Sequence, residues 1–119
     1  MFKFEKLDIW QKAVEYAELI YELTRTFPVE EKFGLMSQLR RAAVSVSSNI
    51  AEGSSRSSDT DLARFIEIAY GSLLESVSEL EIAKRQGFLN SKMFETAYKK
   101  AEDLAKMLSG FRRSIKKRS

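Results

Sequence analysis

Residues 38–53 read QLRRAAVSVSSNIAEG, and the spacing of the apolar side chains in this stretch decides the fold class. These side chains lie three or four positions apart, which is the period of one helix face: Leu39, Ala43, Val46 and Ile50. Most of the other residues are Ala or Ser, so a neighbouring backbone can approach this helix closely. The stretch therefore predicts a central packing helix with a defined partner surface.

The same period continues on the N-terminal side of this helix. The first helix is predicted to begin at Asp8, which stands in capping-box spacing with Gln11, and to stop before Pro28. Its apolar stripe comprises Trp10, Ala13, Ala17, Ile20 and Thr24. The central helix is expected to begin within residues 30–35 and to end at Gly53 and the serines that follow it.

Two further helices follow on the C-terminal side. Ser58 predicts the start of the third helix, and Gly87 predicts its end. Gly71 lies inside this helix, where glycine costs about 1 kcal/mol relative to alanine, so we expect close contact with another backbone to compensate. The fourth helix opens at Asn90 or Ser91. Its predicted stripe is Phe94, Tyr98, Ala101, Ala105 or Leu104, Leu108, Phe111 and Ile115.

Four amphipathic helices with short connections, and no competing strand pattern, indicate an all-α fold. A seam spacing near 3.5 residues fits the shallow crossing angle of helix bundles. We therefore predict a single domain over residues 1–119, arranged as an antiparallel up-down four-helix bundle.

Composition narrows the chemistry that the chain can perform. The 119 residues are 44% hydrophobic and 31% charged, and they include neither Cys nor His. Disulfides and thiolate chemistry are excluded, and the commonest general base and transition-metal ligand is missing. No apolar run approaches the roughly 20 residues of a membrane span, and residues 1–10 lack the apolar core of a signal peptide. We expect a cytoplasmic protein that is not an enzyme, with no cofactor, no metal and no membrane contact.

Positive charge is concentrated at the C-terminus. Residues 99–119 carry a net charge of +6, whereas the remaining 98 residues sum to −3. Such a segment can attract nucleic acid, an anionic membrane or an acidic partner, or it can merely stabilise the end of the last helix. Residues 112–118 contain no acid. The candidate nucleic-acid contacts in this run are Arg112, Arg113, Lys116, Lys117 and Arg118.

Three stretches carry a resemblance to a known family: FEKLDIWQKA (4–13), FPVEEKFGLMSQLRRAAVSVSSNIAEGSSR (27–56) and RFIEIAYGSLLE (64–75). They resemble the 23S rRNA intervening-sequence family of bacterial four-helix bundles. The resemblance implies a ring-shaped homopentamer, mostly without assigned activity. A similar fold serves as the accessory variability protein of diversity-generating retroelements, where it partners a reverse transcriptase and nucleic acid. Ser47 departs from the family pattern, which commonly has proline there, so we expect a straighter helix.

Five polar residues match the family motif position by position: Arg40, Arg41, Asn49, Glu52 and Arg56. One interpretation is a polar site for RNA or a protein partner. The other is a set of structural salt bridges and hydrogen bonds, made to acids of the third helix or across subunits. The sequence leaves both open.

Other candidate groups are less specific. Trp10 with Phe4 and Tyr21 can be a base-stacking platform, or part of the core or an interface. The acids within residues 75–81 lack the histidines of a bundle di-metal site. The serines of the central helix lack an activating histidine, which disfavours a hydrolase.

The leading hypothesis is a non-enzymatic, homo-oligomeric scaffold that associates with RNA or DNA. The alternative is a protein-interaction adaptor for a nucleic-acid enzyme such as a reverse transcriptase. Nucleic acid retained on purification favours the first, whereas co-purification of a defined protein favours the second.

Overall fold

The structure, a computed structural model, describes residues 1–118. Within them the backbone forms four α-helices and no strand: α1 (Asp8–Thr24), α2 (Leu35–Ser54), α3 (Asp59–Arg85) and α4 (Ser91–Arg118). Short 3-10 turns precede α1 at Lys3–Lys6 and α2 at Val29–Glu31. The all-α prediction is confirmed for the described residues, and Ser119, the last residue of the predicted domain, lies outside them.

Local capping signals determine three helix ends. Ser58 Oγ accepts the backbone N–H three residues ahead at 3.1 Å, and Asn90 Oδ1 does the same at 2.8 Å. Gly87 has a φ of +80°, and the amide after it donates to the Ala83 carbonyl at 2.9 Å, as in a Schellman end. These ends agree with the sequence because each one depends on residues only a few positions apart.

The start of α1 differs from the prediction. The helix begins at Asp8, but its cap is Leu7, which makes no side-chain cap hydrogen bond, so the predicted capping box is wrong. The preceding 3-10 turn leads the chain into α1 instead, and Gln11 Nε2 donates to the Glu5 carbonyl at 3.4 Å. The buried face is also rotated, which leaves Trp10 only half-buried. The buried residues are Ile9, Ala13, Tyr16, Ala17, Ile20, Leu23 and Thr24.

Two helical glycines have different surroundings. A β-carbon added to Gly53 would lie 2.8 Å from Cβ of Phe65 and 3.1 Å from Cδ1 of Leu62, so α2 and α3 approach closely there. α2 continues through Gly53 to Ser54. Gly71 is exposed, and no described atom lies within 4 Å of the position of its missing β-carbon. The close contact expected for Gly71 is therefore not made within residues 1–118.

α4 packs against the core along its whole length. Its buried residues are Phe94, Ala97, Ala101, Leu104, Leu108 and Ile115. Tyr98, which the prediction placed in the stripe, is 41% exposed because Ala97 takes the core position. Ile115 is fully buried, so the last turns of α4 are part of the packed structure and not a projecting tail.

The helices pack in chain order around one core. α1 contacts α2, α2 contacts α3, α3 contacts α4, and α4 returns to α1. α2 has no break at Ser47, whose hydroxyl donates to the Val44 carbonyl at 3.0 Å. Within residues 1–118, no helix combines the length and the apolar character that crossing a bilayer demands.

Candidate functional site

Arg40 ties the start of α2 to the end of α1. Its Nε donates to Thr24 Oγ1 at 2.8 Å, and its Nη2 donates to the Tyr21 carbonyl at 3.3 Å. The guanidinium carbon lies 4.5 Å from the centroid of the Tyr21 ring. Because the last carbonyls of a helix lack partners and carry partial negative charge, a cation is stabilising there. Arg40 therefore contacts α1, and not the acids of α3.

Asn49 belongs to a polar contact between α2 and α3. Its Nδ2 donates to the Ser45 carbonyl at 2.8 Å and to Ser45 Oγ at 3.0 Å. The Ser45 hydroxyl in turn lies 2.8 Å from the Ser72 hydroxyl of α3. Small side chains at these positions let the two helices approach, and the hydroxyl pair satisfies the polar groups left between them.

Glu52 and Arg56 lie at the exposed end of α2. Their charged groups are 3.5 Å apart, one helical turn from each other, and both side chains are solvent-exposed. The Arg56 guanidinium also lies 4.7 Å from the centroid of the Phe65 ring of α3. An exposed pair of this kind contributes little stability, about 0–1 kcal/mol, so the stacking on Phe65 is the more specific contact.

Arg41 differs from the other motif residues. It is exposed, and its side chain makes no hydrogen bond or ion pair within residues 1–118. It lines two depressions, one on the α2–α3 side with Gln38 and Glu75, and one on the α1–α2 side. The salt bridge from Arg41 to an acid of α3, one of the structural alternatives, is therefore not formed within residues 1–118. A salt bridge across subunits stays a prediction.

The depression on the α1–α2 side is a basic and aromatic cleft of about 630 Å³. We call it the turn cleft and define it by six of its lining residues: Tyr21, Arg25, Lys32, Phe33, Arg40 and Arg41. It lies at the connection between α1 and α2. Phe27, another lining residue, places it beside the α3–α4 turn, because the rings of Phe27 and Phe88 have centroids 5.5 Å apart.

The basic end of α4 is paired with acids of α3. Arg112 Nε donates to Glu67 Oε1 at 2.7 Å, and Lys116 Nζ lies 4.0 Å from the same oxygen. Arg118 makes a two-bond contact with Asp59 at 3.2 and 3.1 Å. The sequence contains no acid within this run, but the expectation that these cations are left unneutralised is wrong, because α3 brings two acids alongside them.

Arg113 and Lys117 point away from α3. Both are exposed, and they line an open depression of about 460 Å³ with Gly110 and Ser114. Within residues 1–118, neither side chain has a hydrogen bond or ion pair. The five cations predicted as nucleic-acid contacts thus divide into three beside acids and two facing solvent.

A buried polar cluster lies between α1 and α3. Tyr16 OH lies 2.7 Å from Ser76 Oγ, and because Ser76 donates to the Leu73 carbonyl, the tyrosine is the donor. Burial, followed by the neighbouring Glu75, raises the pKa of Glu79 to about 7. Burial also raises the pKa of Tyr16 to about 12, and the charge of Glu79 adds to this.

Glu79 is the acid in this cluster that stays without a full set of partners. It is 6% exposed, and its Oε1 has no hydrogen-bond partner among the described residues. Three carboxylates close enough to hold a metal ion are not found in residues 1–118.

The aromatic residues near Trp10 form a separate group. The Phe4 and Trp10 rings meet edge to face with centroids 4.9 Å apart, and Phe2 stacks on Phe4 at 6.0 Å. Tyr21 lies eleven residues further along α1, which is about 16 Å along the helix axis. The structure thus brings Trp10 and Phe4 together but leaves Tyr21 in the turn cleft, so the three rings do not form one platform.

Sequence reasoning missed three residues of the turn cleft: Arg25, Lys32 and Phe33. One signal was present in the sequence, because Val29 and Phe33 fall outside every predicted apolar stripe. Phe33 is 90% exposed and Val29 is 78% exposed. Apolar residues that fit no helix face can therefore mark a surface with another use.

Residues 5–110 match the family described as 23S rRNA-intervening sequence protein. Among solved structures, the fold is similar to the crystal structure of a protein with unknown function from the S23 ribosomal protein family of Bacteroides thetaiotaomicron VPI-5482, with a TM-score of 0.78. The sequences are 22% identical over 87% of this chain and 96% of that chain, so this likeness shows the fold alone. No curated protein matches the chain. The family match spans most of its length, and the chain belongs to the 23S rRNA-intervening sequence protein family.

Proposed function

We propose that the protein is a non-enzymatic, homo-oligomeric scaffold that associates with nucleic acid, with RNA as the preferred class. The observation that carries this proposal is the end of α4, where Arg113 and Lys117 face solvent on a helix that is held in place. Arg118 is bonded twice to Asp59, and Ile115 is fully buried next to the exposed cations. Two cations per chain are therefore presented in a fixed position.

Self-association would multiply this charge. We propose an antiparallel up-down bundle that assembles as a ring-shaped homopentamer through the outer face of α3. Ile68 and Ile82 are two heptads apart and so share one helix face, and they are 46% and 48% exposed. Gly71 lies on the same side with open space around it, where the backbone of a second copy can approach.

Oligomerisation is tested by light scattering at micromolar concentration. We expect a species near five times the 13.6 kDa of one chain. Gly71→Leu should shift the population towards smaller species, because its side chain would occupy the space left for the second copy. A strictly monomeric parent would contradict this part of the proposal.

Nucleic-acid association is tested by the salt dependence of binding to a single-stranded RNA and a duplex DNA. Each phosphate contact contributes about 0.7 to the slope of log affinity against log salt for single strands, and about 0.9 for duplex DNA. Arg113→Gln with Lys117→Gln should lower the slope by about 1.4 to 1.8.

The matched control for this variant is Lys92→Gln with Lys106→Gln. It removes the same charge from exposed positions earlier on α4. If both variants lower the salt slope equally, the effect comes from the loss of net charge and not from the position of Arg113 and Lys117. An unchanged slope in the first variant would overturn the assignment of the α4 end.

The non-enzymatic part of the proposal rests on composition, since the sequence has neither Cys nor His. It is tested by assaying purified protein for nuclease and phosphodiesterase activity on the RNA and DNA used for binding. Turnover that follows the protein through purification would contradict it. A cytoplasmic location completes the proposal.

The second candidate is a protein-interaction adaptor for a nucleic-acid enzyme such as a reverse transcriptase. Leu74, which is 51% exposed on α3, favours it because it adds an apolar contact beside the proposed assembly face. Co-purification of one defined protein, together with no nucleic-acid binding at low salt, would favour the adaptor over the scaffold.

A further inference from the structure

We propose that the turn cleft is a second nucleic-acid contact, which binds a single-stranded segment by stacking a base on its rings and pairing phosphates with its arginines. The proposal rests on the proposed function for the class of partner. It assigns a different surface, and it adds a requirement for unpaired bases that the α4 end does not have.

The charges of the turn cleft are complementary to phosphate. Four cations line it: Arg25, Lys32, Arg40 and Arg41. No Asp or Glu is among its lining residues. Within residues 1–118, the side chains of Arg25 and Arg41 have neither an ion pair nor a hydrogen bond, so both guanidinium groups are available. A concave surface lined by one sign of charge focuses its field on the ligand.

The rings of the turn cleft supply what a flat cationic patch lacks. Phe33 is 90% exposed, so its ring contributes almost nothing to the core. The Lys32 Nζ lies 5.5 Å from the Phe33 centroid, and the Arg40 guanidinium lies 4.5 Å from the Tyr21 centroid. Unstacked bases pack on aromatic rings and on guanidinium planes, whatever their sequence.

The size of the turn cleft also suits a nucleotide. Its volume of about 630 Å³ lies within the range of about 300–1,000 Å³ that small-molecule pockets occupy. It is open to solvent along the α1–α2 connection, so a strand can enter and leave at its ends.

A single strand fits this surface better than a duplex or a membrane. A duplex keeps its bases stacked, which would leave the exposed ring of Phe33 without a contact. Insertion of Val29 and Phe33 into an anionic membrane would carry the exposed Glu30 to the headgroups, where its charge is repelled. Neither Glu30 nor Glu31 lines the turn cleft, and Glu31 Oε1 accepts the Leu35 N–H at 2.9 Å.

The turn cleft and the α4 end are far enough apart to act independently. Arg118 pairs with Asp59 at the start of α3, whereas the Phe27–Phe88 contact places the cleft beyond the last turn of α3. The 27 residues of α3 span about 40 Å. This exceeds the screening length of about 8 Å at physiological salt several times over.

The test measures binding of the full chain to a fluorescently labelled uridine dodecamer and to a duplex of the same length. Phe33→Leu keeps the apolar volume but removes the ring, and it should weaken single-strand binding by about fivefold to a hundredfold with little change in salt slope. Duplex binding should change little. Arg25→Gln with Arg41→Gln should lower the single-strand slope by about 1.4.

Two controls accompany these variants. Phe2→Leu changes another exposed ring, which is 73% exposed at the other end of α1, and it should bind like the parent. Lys92→Gln with Lys106→Gln matches the loss of two charges. Arg40 is left intact in every variant because it fastens α2 to α1, and thermal melts check that each variant is folded.

The possible results separate this inference from the proposed function. If Phe33→Leu and the Arg25 and Arg41 variant bind like the parent while the Arg113 and Lys117 variant does not, the cleft is not a contact and the scaffold proposal stands. If the parent binds neither probe at about 50 mM salt, both fail. Binding to phosphatidylserine vesicles that needs Phe33, without binding to the dodecamer, overturns the inference in favour of a membrane.

Discussion

The α4 end and the turn cleft carry positive charge in opposite ways. The α4 end has five cations within residues 112–118, which makes it the most conspicuous basic run in the sequence. The four cations of the cleft are spread over residues 25–41, with acids between them. In the fold, three of the five at the α4 end lie beside acids of α3, whereas no acid lines the cleft.

The acids of α3 account for this difference. Asp59 and Glu67, in its first half, face α4 and pair with the cations there. Glu75 and Glu79, in its second half, do not pair with the cations of the cleft within the described residues. Glu79 is buried, and Glu75 shares a depression with Arg41 without forming an ion pair. The effective charge of a segment therefore depends on the acids of the helix packed against it as well as on its own sequence.

The largest expected effect concerns Glu79, the buried acid of α3 that lies close to Glu75. Its pKa is raised from 4.5 to about 7, so the folded protein binds a proton that the unfolded chain has lost between these values. Stability should therefore fall as pH rises from about 4.5 to 7, and the loss is complete above 7.

Glu79→Gln removes this penalty. At pH 8 the free energy of unfolding should rise by about 1–3 kcal/mol, since each pKa unit corresponds to about 1.4 kcal/mol. At pH 4 the variant and the parent should be equally stable. Urea melts at the two pH values measure both quantities. A variant that is less stable than the parent at pH 8 would mean that Glu79 has a partner in the assembly.

The next effect separates two adjacent residues of the cleft. Arg40→Ala loses hydrogen bonds to Thr24 and to a carbonyl of α1, as well as the stacking on Tyr21. It should lower the free energy of unfolding by about 1–2 kcal/mol. Arg41→Ala removes no side-chain hydrogen bond or ion pair of the described chain, and the variant should stay within about 0.5 kcal/mol of the parent.

Thermal melts of the two alanine variants, with urea melts as a check, decide this comparison. Equal destabilisation of both would mean that Arg41 pairs across a subunit boundary, and it could then not be a free phosphate contact. Equal stability of both would remove the structural assignment of Arg40.

The features that sequence predicted correctly depend on short chain distances. Ser58 and Asn90 cap their helices through bonds spanning three residues, and Gly87 ends α3 through its own φ angle. The central stripe of α2 was also predicted, because a helix face is set by residues three and four apart. Trp10 shows the limit of this reasoning. It was predicted to lie in the core stripe but is only half-buried, whereas Tyr16 is buried and its hydroxyl is hydrogen-bonded to Ser76 of α3.

The candidate sites were less predictable because they depend on distant partners. Arg112 and Glu67 are 45 residues apart, and Arg118 and Asp59 are 59 apart, so no local pattern reveals their pairing. The turn cleft gathers residues from α1, the connection and α2. Sequence reasoning singled out Tyr21, Arg40 and Arg41 for other roles, but no local pattern showed that they lie beside Arg25, Lys32 and Phe33.

The smallest expected effect tests the comparison most directly, by removing the acids that pair with the α4 end. Glu67→Gln with Asp59→Asn leaves Arg112 and Arg118 in place but without their partners. If pairing keeps these cations from phosphate, duplex affinity at about 50 mM salt should rise by up to about tenfold, with the salt slope steeper by about 0.9 for each released cation. Stability should fall only slightly, because exposed ion pairs contribute about 0–1 kcal/mol each.

The control for this last variant is Glu95→Gln with Glu102→Gln, which removes two exposed acids of α4 and gives the same net charge. It should raise affinity less and leave the slope near that of the parent, because it releases no cation from a partner. An equal rise in both variants would mean that net charge alone governs binding. The α4 end and the turn cleft would then differ only in charge density, and residues 112–118 would be the main nucleic-acid contact, as the sequence predicts.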